Sequence, residues 1–283
     1  MMFCDAVRLL RAIRPMEEYR YLGLGHWQFV DFELMRREVG VRSMVSISHD
    51  IAQRARFEEN KPFGEIDLFF GDAFEQLQQI DLDIPTIAWL DYTTKLTAGC
   101  VRDLKLLAAK LSAGSVVAGT FNCHTDREDE RLDALIRAVG SDLVPGDVRE
   151  EALDRNGLPK IQRRILVEQL DAAASTRTLP ARVQQFMFLR YADRSPMMFW
   201  AGLIVDESVE EQVAFMPLSR LEQFSDSDDF LDISVPWLTT REVIALNEKI
   251  RASEVPSVRG LEPADCEAYA NLHRWYPAVP LPF

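Results

Sequence analysis

The chain has 283 residues, 47% of them apolar, and a formal net charge of −13. That length suits one large domain or one domain with a substantial appendage, and no stretch of about 18 uninterrupted apolar residues marks a membrane span. Acidic residues outnumber basic ones in both halves, so a broad nucleic-acid surface is disfavoured, because phosphate neutralisation supplies much of such affinity.

Taken in chain order, the first 125 residues alternate helix and strand with short connections. Phe3 to Ile13 reads as a leading helix and Tyr19 to Leu22 as strand one. The glycines Gly23 and Gly25 follow in G-x-G spacing, and Phe29, Phe32, Met35 and Val39 then recur at helical spacing until Gly40. Ser43 to Ile47 is strand two, Ala52 to Glu59 a short helix, Ile66 to Phe70 strand three, and Phe74 to Gln79 a helix. Thr86 to Leu90 is strand four. Val101, Leu104, Ala108 and Leu111 form the stripe of the next helix, and Ser115 to Phe121 is strand five. Arg131 to Val139 reads as helix, 140–159 as loop, and Ile161 to Ala174 as helix. The apolar runs Gln185 to Tyr191 and Met197 to Val205 then flank a hairpin connection, Ala192 to Pro196. In the tail, Thr239 and Glu242 make a capping box for a helix striped by Val243, Leu246 and Ile250. A second helix around Asp265 to Trp275 leads into a proline-rich end.

Five strands with crossover helices give a doubly wound parallel sheet, whose ligand crevice lies at the carboxyl ends of its strands. That rule places Gly23, Gly25, Asp50, Asp72, Asp91, Asn122 and His124 along one edge. Glycines there let backbone approach a ligand closely, and an acid at the second tip can hold ribose hydroxyls. Each residue also has a plainer reading. Gly23 and Gly25 can be a tight turn, while Asp50, Asp72 and Asp91 can each cap the helix that follows.

The order of these features resembles the class I S-adenosylmethionine-dependent methyltransferases, over roughly residues 1–205. The glycine turn, the acid after strand two, Gly71-Asp72-Ala73 after strand three, the acid after strand four, Leu111-Ser112-Ala113-Gly114 before strand five, and a closing hairpin carry the likeness. The resemblance implies a Rossmann-like, doubly wound seven-stranded α/β sheet with a closing antiparallel hairpin and a helical C-terminal extension. It also implies a domain at 1–205, with a loop and helix insertion at 141–180, and an extension at 206–283 packing on it. S-adenosylmethionine is the implied cofactor. Gly23 and Gly25 would lie against its methionine part, Asp50 (or its neighbour His49) on the ribose, Asp72 and Ala73 at the adenine, and Asp91 with Tyr92 beside the transferred methyl. Two departures stand out. Tyr21 takes the place where the first motif commonly has an acid, which removes a contact near the cofactor's ammonium, and Trp27 takes the place of the third glycine.

Methylation on oxygen needs the acceptor hydroxyl to lose its proton as it attacks, so Asp91 and His124 are the candidate catalytic residues. Asp91, Asn122 and His124 could alternatively form an oxygen-rich magnesium site, against the plain reading of His124 as an exposed loop residue. His26 and Trp27 could stack on cofactor, gate substrate or pack under the first helix. Phe186, Phe188, Tyr191, Phe199 and Trp200 read as sheet core, and the acidic clusters 126–130 and 225–229 as solvated loops. The expectation is a methyltransferase acting on oxygen of a small molecule or a protein side chain. Its rival is a fold that has lost turnover and serves as an interaction or regulatory subunit with a protein partner. A nicotinamide dehydrogenase is disfavoured, because Gln28 stands where its third glycine or alanine belongs. Four scattered cysteines without a CxxC pair, and opening residues without a secretory pattern, point to a cytoplasmic protein with reduced thiols and no membrane contact.

Overall fold

A computed structural model describes residues 1–193 and 195–276. Arg194 in the expected hairpin turn and the proline-rich stretch 277–283 lie outside the described residues. The chain divides into two compact units: Met1–Arg190 with Ser195–Leu231, and the segment around Tyr191 with the chain from Asp232 onward.

In the first unit, helix α1 (Met2–Val7) continues as 3-10 turns to Ala12 and leads to strand β1 (Arg20–Leu24). Helix α2 (Val30–Leu34) runs into one π-helical turn over Met35–Val39 that ends at Gly40, as the apolar stripe predicts. There follow β2 (Ser43–Ser48), α3 (Arg54–Asn60), β3 (Ile66–Phe70), α4 (Ala73–Leu77), β4 (Thr86–Lys95), α5 (Ala98–Lys110), β5 (Val116–Asn122), α6 (Arg131–Val139) and α7 (Gly157–Ser175). The hairpin strands are β6 (Arg182–Asp193) and β7 (Ser195–Val205). Then come α8 (Glu210–Phe215) and, where the unit ends, the short edge strand β8 (Leu231–Ile233). The seven main strands lie in the order β3-β2-β1-β4-β5-β7-β6. Neighbours among β1 to β5 are parallel, and β7 enters antiparallel to β5. The doubly wound sheet with a closing hairpin is therefore present. The sequence reading stopped β4 too early, because its last five residues are mostly polar and carry a register shift between Asp91 and Lys95.

Side chains alternate across a strand, so the register sorts the sheet into two faces. Leu22, Val45, Ala88, Leu90, Val117 and Phe121 share one face, where they join Leu77 of α4, Leu104 and Leu107 of α5, Leu135 of α6 and Ile165 and Leu166 of α7 in one buried core. Tyr21, Gly23, Ser46, Trp89, Asp91 and Thr120 point the other way. On that second face Phe3 of α1 meets Trp89 at 5.5 Å and Phe199 of β7 at 5.2 Å between ring centres, and Phe32 of α2 meets Tyr21 at 5.0 Å. Phe186, Phe188, Phe199 and Trp200 are buried, as expected of sheet core.

In the second unit, α9 (Thr240–Arg251) starts at the capping box formed by Thr239 and Glu242. Helix α10 (Pro263–Leu272) packs Cys266 and Tyr269 against Leu246, and the Tyr269 hydroxyl donates to Asn247 Oδ1 at 2.9 Å.

Gly25 follows β1 where the chain presses on β2: its N–H donates to the Ile47 carbonyl at 2.8 Å, and a Cβ there would sit 1.8 Å from Ser46 Oγ and 3.1 Å from Ser46 Cβ. That hydroxyl is buried without a hydrogen-bond partner among the described residues. A side chain at position 25 must therefore push Ser46 aside. Gly25→Ala is expected to cost about 1–3 kcal/mol in denaturant unfolding. Ser46→Ala should be near neutral, since it removes a buried unpaired hydroxyl, and the double variant should recover part of the loss. Strict additivity would show that the overlap is not what excludes a side chain here.

Candidate active site

The parallel strands present their carboxyl ends together, and the residues there come from five loops. Gly23 lies inside β1 and not in the turn, so the turn proper begins at Gly25-His26-Trp27. Its left-handed residue is Phe29, with φ of 51°, which caps α2 from the N-terminal side. A non-glycine residue in that region costs on the order of 1 kcal/mol. Complete burial of the ring against Phe32 and Phe57 returns about 2–3 kcal/mol and holds the turn.

The centre of the site is an acid the sequence reading did not select. Asp31, in the first turn of α2, accepts a 2.5 Å hydrogen bond at Oδ2 from the hydroxyl of fully buried Tyr21. Gly23 makes room for this pair, because a Cβ on it would lie 3.0 Å from the Tyr21 hydroxyl and 3.1 Å from Asp31 Oδ2. Tyr21, at the place of the first-motif acid, thus holds an acid of the next helix through its hydroxyl. The signal was present as an acid within the apolar turn Phe29-Val30-Asp31-Phe32, but it reads equally as a helix-start charge.

Asp91 closes the site from β4. Thr120, opposite it on β5, takes the Trp89 indole N–H at 2.8 Å and gives its own hydroxyl hydrogen to the Asp91 carboxylate. Asp91 is open to solvent yet surrounded by enough protein to push its carboxyl upward, which is the condition of a group lining a concavity. Asp31 is more enclosed: burial outweighs the Tyr21 and backbone hydrogen bonds and raises its carboxyl to about 6, with the Asp91 charge adding in the same direction. Neither acid has an ion pair among the described residues.

The other expected residues fall into two groups. Asp50 stands just past the β2 tip, and its side chain does not cap the short helix after it, which removes the plain reading. Asp72, by contrast, does cap α4, accepting the Glu75 N–H at 3.2 Å, and it lies 3.6 Å from Arg102; Ala73 begins that helix. Tyr92 points to the opposite face, where its hydroxyl donates to Asp103 at 2.9 Å and its ring stacks on Phe121. It does not join the crevice. Helix α5 is capped by Thr97, so Asp91 is not a cap. The Asn122 carboxamide oxygen accepts the His124 backbone N–H at 2.8 Å, fixing the loop that carries the exposed His124. Among the described residues no three His, Cys, Asp or Glu side chains come together as a metal-holding group. The ring of Trp27 contacts His26 at 4.7 Å and lies 3.4 Å beneath the Arg56 guanidinium of α3, so it is engaged at the rim. Asp126 and Asp229, read as solvated, pair with Lys95 and Lys160.

A family model described as "Putative O-methyltransferase" matches residues 1–279. The chain belongs to this family. Among curated proteins, none matches it in sequence. Solved structures are similar to this chain at low identity. Trm1 from Pyrococcus horikoshii, in complex with S-adenosyl-L-methionine, is 9% identical with a TM-score of 0.50 over 75% of this chain and 56% of that one. The O-methyltransferase TomG from Streptomyces achromogenes is 15% identical, with a TM-score of 0.39 over 71% and 79%. Spermidine synthase from Thermotoga maritima is 7% identical, with a TM-score of 0.43 over 82% and 67%. The residues present suit S-adenosylmethionine as the methyl donor. S-adenosylmethionine carries two positive groups, and this methyltransferase sets two carboxylates without cationic partners beside its glycine turn.

The raised acid has a consequence for stability. Unfolding returns Asp31 to its ordinary carboxyl range, so between pH of about 4 and 6 the folded state holds more protons than the unfolded one. The ligand-free protein should therefore lose stability as pH rises through that window. Asp31→Asn should match it at pH 4 and exceed it above pH 7 by on the order of 2 kcal/mol. Denaturant melts at both pH values check this, and a variant less stable at high pH would contradict it.

Proposed function

We propose that this methyltransferase transfers a methyl group to an oxygen of a small molecule bound above Asp91. The observation that carries the reading is the pair of unneutralised carboxylates, Asp31 and Asp91, facing the glycine turn from β1's side and from the β4 tip. When bound, S-adenosylmethionine supplies a methyl group already activated by its sulfonium. The protein's contribution is then positional: it aligns donor and nucleophile and excludes water.

In this reading Gly23 and Gly25 give the cofactor its floor, with Tyr21 beneath. Asp50, not engaged as a cap, receives the ribose hydroxyls. The first turn of α4, at Asp72 and Ala73, borders the adenine, with Asp72 acting from its capping position. Asp91 accepts the hydrogen of the acceptor hydroxyl, and its upward-shifted carboxyl makes it a better base than an ordinary surface aspartate. His124, exposed after β5, offers a second proton acceptor. Thr120 and Trp89 hold Asp91 in place.

We further propose a methyltransferase-like domain at 1–205, with its 141–180 insertion, and an extension at 206–283 whose first part, to Leu231, belongs to the first compact unit. A cytoplasmic location fits the four free, buried cysteines. No helix among the described residues is long and apolar enough to cross a membrane.

Calorimetric titration is expected to show low-micromolar binding of S-adenosylmethionine and S-adenosylhomocysteine, about 7–8 kcal/mol. Asp50→Ala should weaken both at least tenfold. Asp91→Asn should retain micromolar binding while reducing methyl transfer from labelled cofactor to a panel of small hydroxylated acceptors by 100-fold or more. Millimolar binding by the unmodified protein would sink the reading.

A further inference from the structure

We propose that Asp31, anchored by the Tyr21 hydroxyl, receives the ammonium group at the amino-acid end of S-adenosylmethionine. The proposal rests on the cofactor reading above and names the residue that reads one part of it.

Four observations converge. The Tyr21 hydroxyl spends its hydrogen on Oδ2 of Asp31, which together with neighbouring backbone N–H groups fixes the carboxylate in place, and a carboxylate's four lone pairs leave acceptor capacity beyond these bonds. Gly23, on the same strand face as Tyr21, brings bare backbone against this pair: a Cβ on it would lie 3.1 Å from Asp31 Oδ2, so the carboxylate sits directly at the glycine end of β1. Asp31 has no lysine or arginine partner among the described residues, and its titratable neighbours, Tyr21 on β1 and Asp91 on β4, can only add negative charge. A buried carboxylate in such company is costly until a cation arrives.

The division of labour between the two acids follows from access. The transferred methyl must be reachable by the acceptor, and Asp91 is the acid open to solvent, adjoining the β5 tip. Asp31 is walled by Tyr21 and the start of α2, where only a non-reacting part of the ligand can lie. An ammonium also offers N–H donors that a carboxylate can accept, whereas a sulfonium offers none. Tyr21 acts through Asp31 and is a positioning residue.

The test removes the carboxylate charge from the protein and the amino-acid end from the ligand in turn. S-adenosylhomocysteine carries the aminoacyl group; 5′-methylthioadenosine keeps the nucleoside and the thioether but lacks it. Calorimetry on the full chain should find that Asp31→Asn, an isosteric change, weakens S-adenosylhomocysteine at least tenfold and leaves 5′-methylthioadenosine within twofold. Tyr21→Phe should give a smaller loss, about threefold to fivefold, with the same ligand selectivity, and Asp31→Glu should recover part of the binding. Thermal unfolding of each variant checks that it is folded. Equal weakening of both ligands by Asp31→Asn would mean a merely structural role and overturn the proposal, as would a selective loss in Asp91→Asn instead. Failure of the unmodified protein to bind either ligand would bring down the cofactor reading itself, a distinct result.

Discussion

The site depends on one hydrogen bond, from the Tyr21 hydroxyl to Asp31 beneath Gly23. It holds a carboxylate where burial disfavours charge and where the neighbouring acid, Asp91, adds repulsion instead of relief. A fold selected for stability alone would put an arginine or an apolar side chain there. Keeping two acids together without a cation makes sense if the missing charge is brought by a ligand.

The rest of the first unit secures this arrangement. One face of the sheet is given over to a continuous core with α4 to α7, rich in leucine and valine. The other face carries aromatic packing at its lower part, from Phe3, Trp89, Phe199 and Phe32, and polar groups at its upper edge. Trp89 links the two: its ring packs against Phe3 and Phe199, and its N–H holds Thr120, which in turn orients Asp91. The turn after β1 is stiffened by burial of Phe29 in a left-handed conformation and by the tight approach of Gly25 to Ser46. Packing thus holds both acids at the carboxyl ends of the parallel strands.

Much of this was legible in the sequence, because period-2 and helical patterns are strong in the first 125 residues and in the hairpin. β3 and α6 have the bounds their patterns predict, and the capping box at Thr239 and Glu242 forms as read. What escaped the sequence depends on tertiary neighbours. Tyr21 looked like the loss of an acid, since nothing local says that Asp31, ten residues on, folds back to its hydroxyl. Asp50, Asp72 and Asp91 are alike on paper, each an acid at a strand tip. Only the geometry shows that Asp72 spends an oxygen on capping α4 while Asp50 and Asp91 cap nothing. Tyr92 leaves the crevice because β4 continues two residues and more past Leu90, so strand alternation turns Tyr92 to the face opposite Asp91.

Asp31 is a desolvated carboxylate waiting for a cation. Carbon-detected NMR of the aspartate carboxyl carbons, assigned with Asp31→Asn, reads it directly. In the ligand-free protein Asp31 should titrate near 6 and move downward by a unit or more when S-adenosylhomocysteine is added. An Asp31 that titrates near 4 and does not respond to the ligand would rule out a cation-receiving role for it.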